Sequence, residues 1–164
     1  MDFSEIPALI AAFAYGPLYG ILVCAIKNIM HLFVTTSAGV GELSNFILGA
    51  IFVGVAGLIY KRFHTLGGAL IGSLLGALSM AVISVLTNYF VVYPAFVVIY
   101  GMPMEVIIGM YKALLPSADT LLKALVIFNL PYNLVKGIID ALICFAVYKR
   151  MSPFLKSVKK VEKT

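Results

Sequence analysis

The chain has 164 residues, 62% of them hydrophobic and only 12% charged, with a net charge of +5 and a mean hydropathy of +1.07. A soluble domain carries about twice that share of charge, and the length leaves no room for an appended soluble enzyme domain. Composition therefore points to an all-α, polytopic transmembrane helical bundle, and the elements follow in chain order.

Ser4 to Tyr15 reads as a short segment descending from the outer face, and Met1-Asp2-Phe3-Ser4-Glu5 lacks the basic leader of a cleavable signal peptide. Gly16-Pro17 stops one helix and starts the next, because Pro suits the first helical position. A second helix then ascends from Pro17 to about Phe33. The first segment would be only ~18 Å long, too short to cross unaided. Thr35 to Gly41 is a flexible outer loop. Leu43 to Tyr60 is an uncharged span descending to Lys61-Arg62. Leu66 to about Phe90 climbs back, its run GGALIGSLLGALSMA suited to close helix packing.

Residues 91–119 are expected to form an outer loop punctuated by Pro94, Pro103 and Pro116, with PMEVIIGMYKALL as an amphipathic helix on the outer face. The last helix descends from about Thr120 to Arg150, kinked by Pro131. Eight of the twelve basic residues fall at Lys61-Arg62 and in Lys149, Arg150, Lys156, Lys159, Lys160 and Lys163. The positive-inside rule puts both groups in the cytoplasm, which accounts for the net charge without a nucleic-acid partner. The expected organisation is a multi-pass domain in the cell membrane (1–151) with a basic cytoplasmic tail (152–164). Cys24 and Cys144 sit in apolar runs and read as buried small hydrophobes rather than as a disulfide or metal site.

Against this apolar background the last helix carries a polar stripe. Asn129, Asn133, Lys136 and Asp140 are spaced four, three and four apart, on one helical face. The stripe lies roughly 15 to 30 Å from the Lys149 end, at hydrocarbon depth. Ionisable groups there face a bundle interior or a water-filled cavity. Lys27, Asn28 and His31 in the second helix, Glu42 and Asn45 opening the third, and Asn88 with Tyr89 closing the fourth fall at the same outer level. A cavity open to the outside and closed below would satisfy them all.

Each residue also has a plainer reading. Lys136 and Asp140 form an i, i+4 pair that can neutralise itself. Lys27 could snorkel, His31 could be a hydrogen-bonded interior histidine, and Glu42 with Asn45 could cap the third helix. Phe3, Phe13, Tyr15, Tyr89, Phe90, Tyr93, Phe96 and Tyr100 could stack on a flat ring or belt the interface. No HExxH, GxSxG, Walker or CxxC motif is present, and His31 with Glu42, eleven residues apart, specifies no chemistry. The chain reads as a binder and not an enzyme, and uphill transport would need energy from a partner or an ion gradient.

The segments DFSEIPALIAAFAYGPLYGILVCAIKNIMH, GVGELSNFILG, AGLIYKR, NYFVVYPAF, GMPMEVIIGMY and NLPYNLVKGIIDALICFAVYKRM together resemble the riboflavin-specific substrate-binding component of energy-coupling factor (ECF) transporters. The resemblance runs from Asp2 to about Met151. It implies a six-helix membrane protein, five of whose helices are present here, that captures riboflavin from outside without a cofactor. It also implies association with a transmembrane coupling subunit and two cytoplasmic ATP-binding subunits, whose ATP hydrolysis topples the binder to release the vitamin inward. The implied ligand positions are Asn133 and Lys136 on the last helix, Glu42, Leu43 and Asn45 in GELSNF with the backbone near Gly41, and Asn88 in NYF. Lys27 and Asn129 complete the candidate set by their depth. The family carries a further helix before DFSEIP, with an Ala-x-x-x-Ala pattern that docks on the coupling subunit, so either an upstream start or a truncation is expected. A component for another vitamin, or a structural subunit of a membrane complex, are the alternatives.

Overall fold

The computed structural model describes residues 3–35 and 37–161, with side chains as far as residue 147. Glycine and proline set the first boundary as expected. Helix α1 (Glu5–Tyr15) ends at Gly16, whose φ of 114° suits a residue without a Cβ, and the Gly16 N–H closes the helix on the Ala12 carbonyl. Pro17 then opens α2 (Pro17–Leu32) directly. Helix α1 is shorter than a bilayer crossing, as expected from its sequence, and α2 proves to fall short as well.

Helices α3 (Val40–Arg62) and α4 (Leu66–Thr87) form the tightest pair. Their turn is fixed by Thr65, whose Oγ1 accepts from the Gly68 N–H at 3.0 Å. The small-residue run of α4 lies against α3 so closely that a Cβ on Gly76 would sit 2.6 Å from the Phe52 carbonyl oxygen. Without a hydrophobic force between helices in lipid, such close approach is what holds them together.

The fourth helix does not end near Phe90. A π-helical stretch, Asn88–Val92, joins α4 to α5 (Tyr93–Tyr100), giving a continuous apolar helix from Leu66 to Tyr100. Residues 91–100, expected in a loop, are therefore helical. The cause is local: the widened turn, closed by the Tyr93 N–H on the Asn88 carbonyl, absorbs the missing donor and ring of Pro94 just beyond it. Gly101, with φ of 61°, then ends the helix.

Amphipathic α6 (Met104–Leu114) follows as expected. It buries Ile107 and packs Tyr111 on Phe128, ring centroids 5.6 Å apart. Short α7 (Leu121–Ala124) starts at Thr120, whose hydroxyl accepts from the Lys123 N–H. A second π-helical stretch, Leu125–Asn129, leads into α8 (Leu130–Val161). The disturbance expected from Pro131 is thus this π turn, again placed just before a proline. The helix backbone does not stop at Arg150 but continues to Val161, while the basic side chains from Lys149 onward lie outside the described residues.

Val40–Arg62, Leu66–Tyr100 and Leu121–Val147 are long and apolar enough to cross a membrane. Helix α1 packs against α2, α3 and α8, and α8 against α4. The apolar core between them holds Leu9, Phe52, Val53, Ala56 and Met80. Cys24 and Cys144 are buried and free. Phe13 packs on Tyr60 (4.9 Å) and Phe145 (6.4 Å) at the end away from the polar groups.

A polar cluster at one end of the bundle

Because neighbouring helices alternate in direction, the start of α1, the end of α2, the start of α3, the end of α4 and the start of α8 meet at one end. The buried polar side chains concentrate there, as their depth in the sequence suggested. Their pairing, however, is largely long-range.

The centre of the cluster is Glu5, a residue the sequence reading passed over. It is 1% exposed, and its Oε1 accepts from Lys27 Nζ at 2.8 Å and from Lys136 Nζ at 3.4 Å. Cys24 Sγ donates to its Oε2 at 3.6 Å, and Ser4 Oγ accepts from Lys27 at 2.8 Å. The carboxyl fits because α3 has Gly49 at this level: a Cβ there would lie 2.8 Å from Glu5 Oε2. Two lysines at membrane depth needed a carboxylate partner, and that need was the available signal for Glu5. Lys27 accordingly does not snorkel outward, and Lys136 reaches across to Glu5 on α1. Asp140 itself is fully buried one turn further along α8.

At the α2–α3 junction, His31 Nδ1 lies 2.9 Å from Glu42 Oε1. Ser37 Oγ donates to Glu42 Oε2 at 2.7 Å and accepts from the Gly41 N–H at 3.0 Å. Glu42 is therefore a clasp for the loop, and α3 begins at Gly39 without a side-chain cap, so neither Glu42 nor Asn45 acts as the cap. His31 is hydrogen-bonded as expected but exposed rather than interior.

A third group joins α4 to α8. Ser84 Oγ donates to Asn129 Oδ1 at 2.6 Å, and Asn133 Nδ2 donates to both the Asn129 carbonyl and Asn129 Oδ1, each at 2.9 Å. Asn88 and Asn28 each donate to the carbonyl four residues earlier, at 2.7 and 2.8 Å. Asn133 and Lys136 are buried, while Asn129, Asn88, Asn45, Gly41 and Lys27 are half-buried and Leu43 exposed.

Two cavities border this end. One of about 220 Å³ lies between α2 and α3 and is lined by Asn28, Leu32, Gly39, Glu42, Leu43 and Phe46 among others. The other, about 490 Å³, lies between the α4–α5 helix, α6 and α7, with Tyr89, Phe90, Met104, Thr120 and Leu121 in its wall. Asp119 borders it, held below the usual carboxylate range by its hydrogen bond to the Lys123 ammonium. Of the sequence-predicted residues, Glu42 and Leu43 line the smaller cavity, whereas Asn133 and Lys136 line neither. The structure thus brings Lys27 and Lys136 together through Glu5, and Asn129 with Asn133 through Ser84.

A helical bundle with an apolar body and its ionisable groups gathered inside one polar, hydrogen-bonding end has the build of a multi-pass membrane protein. The more particular identity comes from its relatives. The family model for the substrate-specific component of ECF transporters matches residues 1–148, and the chain belongs to that family. It is similar to the riboflavin transporter RibU of Staphylococcus aureus (30% identity, covering 96% of this chain and 77% of that protein). It is also similar to the riboflavin transporter FmnP of Bacillus subtilis (33% identity, 95% and 78%). A solved structure described as the S component of a bacterial ECF transporter superposes with a TM-score of 0.73 at 28% identity, covering 95% of this chain and 79% of that one. These are transport components, and the chain is not an enzyme.

Proposed function

We propose that this chain is the riboflavin-capturing subunit of an ATP-driven vitamin uptake system. Two observations support it: relatives named as riboflavin transporters, and the gathering of buried Asn133, Lys136 and Glu42 at one end of a largely apolar bundle. The second observation carries the reading, since amides and an ammonium held at membrane depth are what a ring edge and a polyol chain require.

In this reading the polar end faces outside and the basic C-terminal stretch, residues 152–164, lies in the cytoplasm. The vitamin is held by Asn133 and Lys136 on α8, by Glu42, Leu43, Asn45 and the backbone near Gly41 on α3, and by Asn88, with Asn129 in the same group through its hydrogen bonds to Asn133. Lys27 acts within the same charged group. Burial of the flat ring adds affinity at about 25 cal/mol per Å² of apolar surface. Release inward is driven by a coupling module made of a transmembrane subunit and two ATP-binding subunits.

Riboflavin fluorescence tests the reading directly. Purified protein in detergent should quench added riboflavin in a saturable manner, and Asn133→Ala and Lys136→Ala should each weaken binding about ten-fold or more. Folded protein that fails to quench riboflavin would remove the assignment.

A further inference from the structure

Hydrogen bonds around Asn133 fix which way its amide points. Its Nδ2 lies 2.9 Å from the Asn129 backbone oxygen, a group that can only accept. The reversed amide would set two acceptors against each other. The second hydrogen goes to Asn129 Oδ1, also at 2.9 Å, so both donors of the NH2 group are used. Asn129 is held in turn from another helix: its Oδ1 takes the hydroxyl of fully buried Ser84 at 2.6 Å, a hydrogen that Ser84 shares with the Ala81 carbonyl at 2.7 Å. Among the described residues none donates to Asn133 Oδ1. The amide therefore offers a single functional group, its oxygen.

We propose that Ser84 and Asn129 are positioning residues that hold the Asn133 amide with its donors used and its oxygen available, making it an acceptor that reads an N–H donor on the ligand ring. The inference rests on the riboflavin reading above. Among the ring atoms of riboflavin the imide N–H at N3 is the only donor, flanked by two carbonyl oxygens. An amide whose own donors are consumed can pair with that N–H and cannot pair with the carbonyls. Lys136, three residues on, supplies only donors and complements a flanking carbonyl. An acceptor and a donor on neighbouring positions of one helix face match the donor–acceptor order of an imide edge. Burying that N–H without a partner costs binding, which is how such a site discriminates.

The test compares riboflavin with N3-methylriboflavin by fluorescence quenching on wild type and Ser84→Ala. Wild type should bind the N3-methyl analogue at least ~10-fold more weakly than riboflavin. Ser84→Ala should bind riboflavin roughly 3- to 10-fold more weakly while its affinity for the methylated analogue stays near that of wild type, so that the ratio shrinks. Ser84→Thr, which keeps the hydroxyl, should restore the ratio. Equal wild-type affinity for the two flavins would overturn the proposal and leave the riboflavin reading standing. So would a Ser84→Ala defect of equal size for both flavins, which is what a purely structural role predicts. Folded wild type that binds neither flavin refutes the riboflavin reading itself. If Ser84→Ala does not fold, the isosteric Ser84→Cys, a weaker donor, takes its place.

Discussion

Replacing Glu5 by Gln keeps the shape of the side chain and removes one negative charge from between two ammonium groups. Glu5 is 1% exposed, and the side chains of Lys27 and Lys136 are 18% and 9% exposed. Lys136, 3.4 Å from Oε1, is the more deeply enclosed partner and loses most. Lys27, at 2.8 Å, retains more water. Removing one member of a buried ion pair costs about 3–5 kcal/mol, chiefly because the surviving charge stays buried. The partial exposure of Lys27 places the expected cost near the lower figure, and at about 2–4 °C per kcal/mol for a chain of this size the melting temperature should fall by roughly 6–12 °C. Thermal unfolding of detergent-solubilised protein measures it. The double variant Glu5→Gln/Lys27→Met removes one charge of each sign, so it should recover part of the loss. A Glu5→Gln protein that melts within about 1 °C of wild type would refute the buried ion-pair reasoning. So would a double variant that is additively worse than both singles.

Three further substitutions test separate parts of the bundle. Gly49→Ala places a methyl 2.8 Å from Glu5 Oε2 and should lower stability and riboflavin affinity together, measured by melting and quenching on one sample. Gly76→Val drives a branched side chain into the Phe52 carbonyl, 2.6 Å from the new Cβ, and should destabilise by at least about 1–3 kcal/mol in the same melt. Ser37→Ala removes the donor to Glu42 and the acceptor of the Gly41 N–H. It should cost about 1 kcal/mol and speed hydrogen exchange at the α2–α3 junction while leaving α4 unchanged.

The helices were legible where the chain punctuates itself. Gly16-Pro17, the uncharged run ending at Lys61-Arg62 and the PMEVIIGMYKALL segment each carry a local cause that the structure reproduces. Residues 91–100 were not legible, because the rule that proline breaks a helix takes no account of a π turn placed just ahead of it; Pro94 and Pro131 both follow one. The clustering of polar groups at one end was readable from depth along each helix. Their partners were not, since helical spacing favours Lys136 with Asp140, whereas the contact to Glu5 spans 131 residues. Conversely His31 and Glu42, dismissed for their uninformative spacing, lie 2.9 Å apart. Distance in sequence set no limit on either pair; antiparallel packing did.

Five of the helices, α1 to α4 and α8, close into a ring whose links differ in kind. Glu5–Lys27 joins α1 to α2, His31–Glu42 joins α2 to α3, Ser84–Asn129 joins α4 to the π turn that opens α8, and Glu5–Lys136 joins α8 to α1. The link between α3 and α4 is apolar close packing, with Gly72 and Gly76 against the Ala56 and Phe52 carbonyls. A hydrogen bond contributes only about 0.5–1.5 kcal/mol net, or about 1.5–3 kcal/mol when one group is charged, so exchanging it for one to an incoming hydroxyl or imide changes the free energy little. Close-packed backbone offers a ligand no comparable exchange, because its contacts are lost outright on opening. A polar solute should therefore enter by parting a polar link, with the α3–α4 pair remaining as the fixed wall. Disulfide tethers separate the two cases: one engineered across α3 and α4 should leave riboflavin association rates near those of the reduced protein. One joining α1 to α8 at the polar end should slow association by at least ten-fold until reduced. Slowing by the α3–α4 tether alone would place the moving boundary at the glycine interface and reverse the assignment of wall and door.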